Sequence, residues 1–402
     1  MRYDFDRVID RRLGRSFKWS AFPDDVLPLF IADMDFESPP AVKDALRAVV
    51  DHGVFGYPTG LQHDGSLAAP ALQELIVQRL AARYGWRIAP EAVVVGAGLV
   101  VGFNVACQLF RGQGAVLVQP PIYTPMLMAP GWAGLARQDA PLMQQADGTY
   151  AIDFDRFATA ITPETRLFLM CNPHNPVGRV FRRDELERLA ELCLARDLII
   201  CADEIHSELI YRGQRHIPIA SLSPEIERRT ITLIAPTKTF NLPGLHCSIA
   251  IIPNEELRRR YIAARQGLVM WLNLMGLVAA EAAYRHGDEW LDQLLIYLEA
   301  NRDFAADFIR SELPAIKLAK PQGTYLAWLD CRAAIAGNPF QFFLEQAKVA
   351  LSDGATYGPG GEGFVRLNFG CPRATLAEAL RRMKRALETS TAGRAEIAGG
   401  AP

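Results

Sequence analysis

Ile231-Thr-Leu-Ile-Ala-Pro-Thr-Lys-Thr-Phe-Asn-Leu-Pro-Gly244 runs from an apolar stretch straight into a proline-bounded turn that carries Lys238. An unbroken β-branched and aliphatic run of this length fits a strand covered on both faces. A lysine delivered at the end of such a strand is partly desolvated, and desolvation disfavours its ammonium form. An amine held in that way forms a Schiff base with an aldehyde cofactor. Most lysines are solvated surface charges, so the weight of the argument falls on what surrounds Lys238.

Working outward, the same kind of run recurs at 92–95, 115–118, 167–170, 198–202 and 248–252, and helical patterns fall at 100–110, 183–195 and 254–264. Apolar strands alternating with helices predict an α/β fold, a three-layer arrangement with a mainly parallel sheet. Helices are also expected at 41–51 and 68–84. After about residue 287 the pattern changes: one long amphipathic helix over 288–312, a strand at 325–329, a helix at 340–350, a strand at 364–369 and a helix at 376–387. This predicts a smaller α+β domain made of 1–47 and 288–388, a large domain at 48–287, and a disordered tail at 389–402.

Bulk properties narrow the function class. The 402 residues are half apolar, 22% charged and have a formal net charge of −2. No basic field for nucleic acid is evident, and no run is long enough to span a membrane. The N-terminus is acidic and lacks the apolar run of a signal peptide. The seven cysteines form no Cys-x-x-Cys pair, which fits reduced thiols in a cytoplasmic protein and asks for no metal.

Several residues follow predicted strands, where α/β proteins place ligands. Asp203 ends the run at 198–202, and His206 comes three residues later. Asp203 reads either as a turn cap or as the partner of a cationic ring nitrogen. His206 reads as a packed histidine or as a donor beside a phenolate oxygen. Asn172-Pro-His-Asn-Pro-Val-Gly178 is a turn that either only reverses the chain or aims Asn175 at the same edge. Gly96-Ala-Gly98-Leu-Val100 opens a helix whose first amides suit a phosphate, though the pattern lacks the third glycine of a dinucleotide fingerprint. Tyr123 follows the next strand and either packs or stacks on a flat cofactor. Arg366, in Phe364-Val-Arg-Leu-Asn-Phe-Gly370, is either a surface cation or a fork for a substrate carboxylate.

Taken together, these residues resemble the fold-type I pyridoxal-phosphate enzymes over roughly residues 30–375. Within that superfamily the chain is similar to the cystathionine β-lyases of the MalY/PatB type. The phrases that carry the likeness are Ile31-Ala-Asp-Met-Asp-Phe36, Phe55-Gly-Tyr57, Cys171-Asn-Pro-His-Asn-Pro176, Asp203-Glu-Ile-His206 and Arg366-Leu-Asn-Phe-Gly-Cys-Pro-Arg373. The resemblance implies pyridoxal 5′-phosphate on Lys238, Asp203 at the pyridine nitrogen, Asn175 and His206 at the ring oxygen, and Tyr123 stacked on the ring. It implies amides of Gly98, Leu99 and Val100 at the phosphate, Arg366 at the substrate α-carboxylate, and Asp33 and Tyr123 beside the substrate. Tyr57 would reach the phosphate of a neighbouring subunit, which makes the expected assembly a homodimer with shared active sites.

Two positions depart from the aminotransferase pattern. Ala235 stands three residues before Lys238, where many aminotransferases have a phosphate-binding serine, and His246 stands eight after it, in place of an arginine. The phosphate thus loses a permanent cation, and Thr237 is the candidate replacement hydroxyl. The lyase group that the chain resembles also tends to lack that arginine, so the resemblance implies carbon–sulfur β-elimination from L-cystathionine or another S-substituted L-cysteine, giving a thiol, pyruvate and ammonia. The alternative is an aminotransferase acting on an L-amino acid and a 2-oxo acid.

Overall fold

The structure, a computed structural model, describes residues 3–58, 65–269 and 271–399, with side chains through residue 390. A seven-stranded sheet organises its centre. In chain order the strands are β1 Val93–Gly96, β2 Ala115–Val118, β3 Ala136–Asp139, β4 Thr165–Cys171, β5 Ile199–Asp203, β6 Thr230–Ile234 and β7 Ser248–Ile251. Across the sheet the order is β1-β7-β6-β5-β4-β2-β3. Strands β2 to β6 pair in parallel, and β7 runs antiparallel to both β1 and β6. The C-terminal ends of β1, β4, β5 and β6 therefore share one edge with the start of β7.

Burial on both faces explains why these runs lack polar alternation. Leu167, Leu169 and Cys171 of β4 pack into one core with Phe103 and Ile231, while Phe168 and Met170 point into another with Phe157 and Leu186. Strand β3, Ala136-Arg-Gln-Asp139, is the exception. It lies at the sheet edge and carries no apolar run, so the sequence reading passes over it.

A second sheet holds β8 Lys317–Leu318, β9 Leu326–Asp330, β10 Ser352–Asp353 and β11 Phe364–Asn368 in the order β8-β9-β11-β10, all antiparallel. Its register puts Arg366 opposite Trp328 on one side and Ser352 on the other. Helix Asp288–Glu312 follows the predicted span and packs against the final helix. The N-terminal segment joins the same part of the molecule, because Leu27–Pro28 pairs in parallel with Val349–Ala350.

Three spans differ from expectation. The helix expected over 340–350 is only Pro339–Phe342 followed by a wider turn, Phe343–Ala347. Lys348 takes a left-handed conformation, φ 53°, and the next two residues are drawn into pairing with Leu27–Pro28. Helix Leu274–His286 was not separable in the sequence, because Gly276, Leu277, Ala279, Ala280, Ala282 and Ala283 are all buried and blur its period. The last helix runs Arg373–Gly399, beyond residue 387 and through most of the tail read as disordered; the final three residues lie outside those described.

Helix Leu274–His286 sits directly on the segment after Lys238. A Cβ on Gly276 would collide with the carbonyl oxygen of Leu245. Gly276→Ala should therefore destabilise the fold by about 1–3 kcal/mol, the range for overpacking. Denaturant unfolding checks this, and an unchanged midpoint would refute the close approach.

Candidate active site

Lys238 lies one turn beyond β6, in the short helix Pro236–Thr239, between the buried threonines Thr237 and Thr239. Its ammonium donates to the carbonyl of Ala32, an oxygen that also accepts the Tyr325 hydroxyl at 2.9 Å. Burial brings its pKa down to about 8; the nearby Arg366 pushes the same way, against the charges of Asp33 and Asp203. A nucleophilic amine is thus available close to neutral pH.

Asp203 ends β5, one strand away in the sheet. It is buried, and burial pushes its carboxyl up to about 7 despite the amide of Ile205, 3.1 Å away, and the charge of Lys238. The turn-cap reading of Asp203 is met by the Ile205 contact. One oxygen caps the turn, and the carboxylate as a whole has no ion-pair partner within reach among the described residues.

His206 is buried with its ring edge-on to Tyr325, centroids 5.8 Å apart. Burial, then the charges of Lys238 and Arg366, hold its pKa well below the ordinary value, so the imidazole is neutral. Its Nδ1 has no hydrogen-bond partner. Asn172 uses its Oδ1 to accept from Phe181 at 3.0 Å, and its Nδ2 is left unpartnered. Asn175 Oδ1 accepts from Arg366 at 3.0 Å.

Arg366 is not a surface cation: it is 4% exposed. Its other nitrogen donates to the carbonyl of Phe30 at 2.7 Å and to Ser352 Oγ at 3.2 Å, and the guanidinium lies 5.2 Å from the centre of the Tyr357 ring. Its Nε has no partner. The ion pairs among the described residues include none made by Arg366. Tyr123 stands half-buried at the start of helix Thr124–Trp132, close enough to feel Arg366 and Asp203, although burial is the main cause of its raised pKa.

The phosphate-side residues meet at the start of β7. Gly98 precedes helix Leu99–Gln108 and its amide donates to Ser248 Oγ at 3.0 Å. That leaves the first-turn amides of Leu99 and Val100, which have no carbonyl inside the helix. His246, in a left-handed conformation with φ 49°, lies close to Gly98: a Cβ there would lie 3.8 Å from His246 Nδ1. Tyr57 is not brought to this group within one chain. It is 77% exposed and packs on Trp271, ring centroids 4.6 Å apart. Trp271 is itself 38% exposed.

Asp33 binds Arg11 through Oδ2 at 2.8 Å, while its Oδ1 accepts no hydrogen bond. The sequence reading missed the Ala32 carbonyl, Tyr325, Asn172, Ser352 and Tyr357. Tyr325 had a signal, since it opens a predicted strand in the second sheet. The Ala32 carbonyl had none, because a backbone acceptor carries no residue type.

These residues fit pyridoxal phosphate. A buried carboxylate without a cation suits a protonated ring nitrogen, and the unpartnered Asn172 Nδ2 and His206 Nδ1 are idle polar atoms in the same region. The amine, the carboxylate and the guanidinium enter it from three different strands or turns.

The raised pKa of Asp203 makes a stability prediction for the cofactor-free chain. The folded state keeps a proton up to about pH 7 that the unfolded state releases near 3.8. Stability therefore falls as pH rises through that window. Asp203→Asn should relieve this, stabilising the cofactor-free protein more at pH 8 than at pH 5. Urea unfolding at both pH values would contradict the burial argument if the gain were equal.

Comparison with known proteins agrees with this chemistry. The family profile of "Aminotransferase class I and II" matches residues 24–383. Cystathionine beta-lyase PatB of Bacillus subtilis is 41% identical over 395 residues, covering 96% of this chain and all of that protein. Protein MalY of Escherichia coli is 34% identical, covering 93% of this chain and 96% of its own length. The crystal structure of cystalysin from Treponema denticola, which contains pyridoxal 5′-phosphate, superposes with a TM-score of 0.90 at 31% identity over 97% of this chain and 100% of that one. With its parallel sheet, its strand-end lysine and matches along nearly its whole length, the chain belongs to the class I and II aminotransferase family.

Proposed function

We propose that this chain is a pyridoxal-phosphate-dependent carbon–sulfur β-lyase. It cleaves L-cystathionine or related S-substituted L-cysteines to a thiol (homocysteine from cystathionine), pyruvate and ammonia. The observation that carries the reading is the end-to-end likeness to PatB, named a cystathionine β-lyase. His246 in place of an arginine points the same way.

Bound pyridoxal phosphate supplies an electron sink in conjugation with the substrate α-carbon. The chain supplies the rest. Arg366, buried without a carboxylate of its own, grips the substrate α-carboxylate and fixes which bond at the α-carbon is aligned for cleavage. The Lys238 amine takes the α-proton, a transfer suited to a base whose pKa lies near 8. Asp203 would hold a proton at the ring nitrogen. Asn175 and His206 would serve the ring oxygen, and Tyr123 would pack against the ring. The amides of Leu99 and Val100, with Gly98, Thr237 and His246, would hold the phosphate. The thiolate then departs from the β-carbon, taking the electron pair of the C–S bond.

The assembly we propose is a homodimer in which Tyr57 completes the partner's phosphate site. Val54, Phe55, Tyr57, Leu268 and Trp271 are exposed apolar side chains in the one chain, and two of them are already in ring contact. All seven cysteines are free and buried, which suits a cytoplasmic protein. No helix among the described residues is long and apolar enough to cross a membrane.

Incubation with L-cystathionine should yield pyruvate, read with a coupled dehydrogenase. Turnover of 2-oxoglutarate with an amino donor and no pyruvate would instead make the enzyme an aminotransferase. Arg366→Ala should lower kcat/KM by at least ~30-fold, the cost of leaving a buried charged group unpaired. Lys238→Ala should lower it by ~100-fold or more, the scale of a lost general base. Kinetics of either variant indistinguishable from the parent would remove that residue from the site.

A further inference from the structure

The proposed reaction needs a base at the substrate α-carbon, and Lys238 serves only while its amine is both held in place and unprotonated. What holds it is the carbonyl of Ala32. The way that carbonyl comes to face the lysine is built into Arg366-Leu-Asn-Phe-Gly370, a motif of which the substrate-binding reading uses only the arginine. Asn368 stands two residues beyond Arg366 on β11 and is fully buried. Its Nδ2 donates to the carbonyls on both sides of Ala32, Ile31 at 2.7 Å and Asp33 at 2.6 Å, and its Oδ1 accepts from the Gly370 amide at 2.7 Å. The Asp33 amide also donates to the Ile31 carbonyl at 3.0 Å, which closes a three-residue turn with Ala32 at its centre. Both flanking carbonyls are thus drawn to one amide nitrogen. The middle one is left for Lys238 and for the Tyr325 hydroxyl, 2.9 Å away.

Tyr325 is placed there against a backbone preference. Thr324, the residue before it, is buried and sits at φ 69°, a left-handed conformation that β-branched residues disfavour. It is kept so by its amide, which donates to the Leu209 carbonyl at 2.8 Å, and by the Tyr211 hydroxyl, which donates to its own carbonyl.

We propose that the Ala32 carbonyl is the seat of the Lys238 amine whenever that amine is not bonded to the cofactor, that Asn368 aims this seat and that the Tyr325 hydroxyl weakens it. Asn368 and Tyr325 are thus positioning residues for the α-proton transfer. A neutral amine that donates one N–H to Ala32 is fixed in place and keeps its lone pair for the α-proton, whose C–H electron pair stays with carbon. An ammonium donates more strongly than an amine, so an undivided carbonyl would hold Lys238 charged. The Tyr325 hydroxyl takes a lone pair of the same oxygen and lowers that preference. The role in proton transfer rests on the proposed reaction, whereas the seat is a property of the chain alone.

Competitive labelling tests the seat without cofactor. Cofactor-free protein is treated with trace acetic anhydride from neutral to alkaline pH, and acetylation of the Lys238 peptide is read by mass spectrometry. The midpoint should lie at about 8 in the parent. It should rise by about one unit in Tyr325→Phe and fall by a similar amount in Asn368→Ala, the scale of one hydrogen bond to a charged group. General loosening of the site would not move the two in opposite directions. Because Asn368 is fully buried, Tyr325→Phe, which keeps its ring beside His206, is the deciding variant. In the loaded enzyme that variant should lose about tenfold in kcat for L-cystathionine at neutral pH, because less of the amine is then neutral, and should recover as pH rises past the new midpoint. Its KM should stay near the parent value. An unshifted midpoint in Tyr325→Phe, or a loss of kcat that is equal at every pH, overturns the seat. A parent enzyme that releases no pyruvate overturns the lyase reading, and the labelling midpoints then still decide the seat.

Discussion

Desolvation at one edge of the parallel sheet is the constraint on which the site depends. Three ionisable groups, the half-buried Lys238 and the buried Asp203 and Arg366, share one region, and among the described residues none of them forms a direct ion pair with another. Burial lowers the lysine to about 8 and raises the aspartate to about 7, so the two ordinary pKa values are drawn towards each other. A close pair would have cancelled both charges and removed the reactivity. The separation keeps an amine, a carboxylate and a guanidinium each free to meet a different part of a bound group.

The fold produces that separation by topology. Lys238 follows β6, Asp203 ends β5, and Asn172 and Asn175 follow β4, three neighbouring strands that deliver their ends to one edge. Arg366 comes from β11 in the other sheet and is held by the Asn175 side chain and the Phe30 carbonyl. The N-terminal segment closes the arrangement from a third direction, through Ala32 and Asp33. Chain regions more than three hundred residues apart thus bear on one site, and none of the three elements forms it alone.

Much of this was legible in the sequence. Strand-end positions of Lys238 and Asp203 followed from the apolar runs before them, because strands covered on both faces show no polar alternation. The spans 183–195 and 288–312 were read to the residue, since each is amphipathic and ends in a clear change of pattern. What escaped reading has physical reasons. Edge strand β3 is polar, helix Leu274–His286 is buried on too many sides, and Lys348 breaks a helix only because a distant strand claims the next residues. In the site, Arg366 could not be told from a surface cation, because burial of a charge depends on long-range partners such as Phe30 and Asn175. The role of Ala32 is a backbone role, invisible to residue type. Tyr57 is exposed on the one chain, and the role proposed for it at a partner's phosphate rests on the proposed homodimer.

The claim that burial selects Lys238 as the reactive amine is tested most directly by borohydride reduction of the pyridoxal-phosphate-loaded protein, followed by proteolysis and mass mapping of the pyridoxyl label. The label should fall on the peptide that contains Lys238 and on none of the other six lysines. A label on another lysine, or its persistence in Lys238→Ala protein, would contradict the claim.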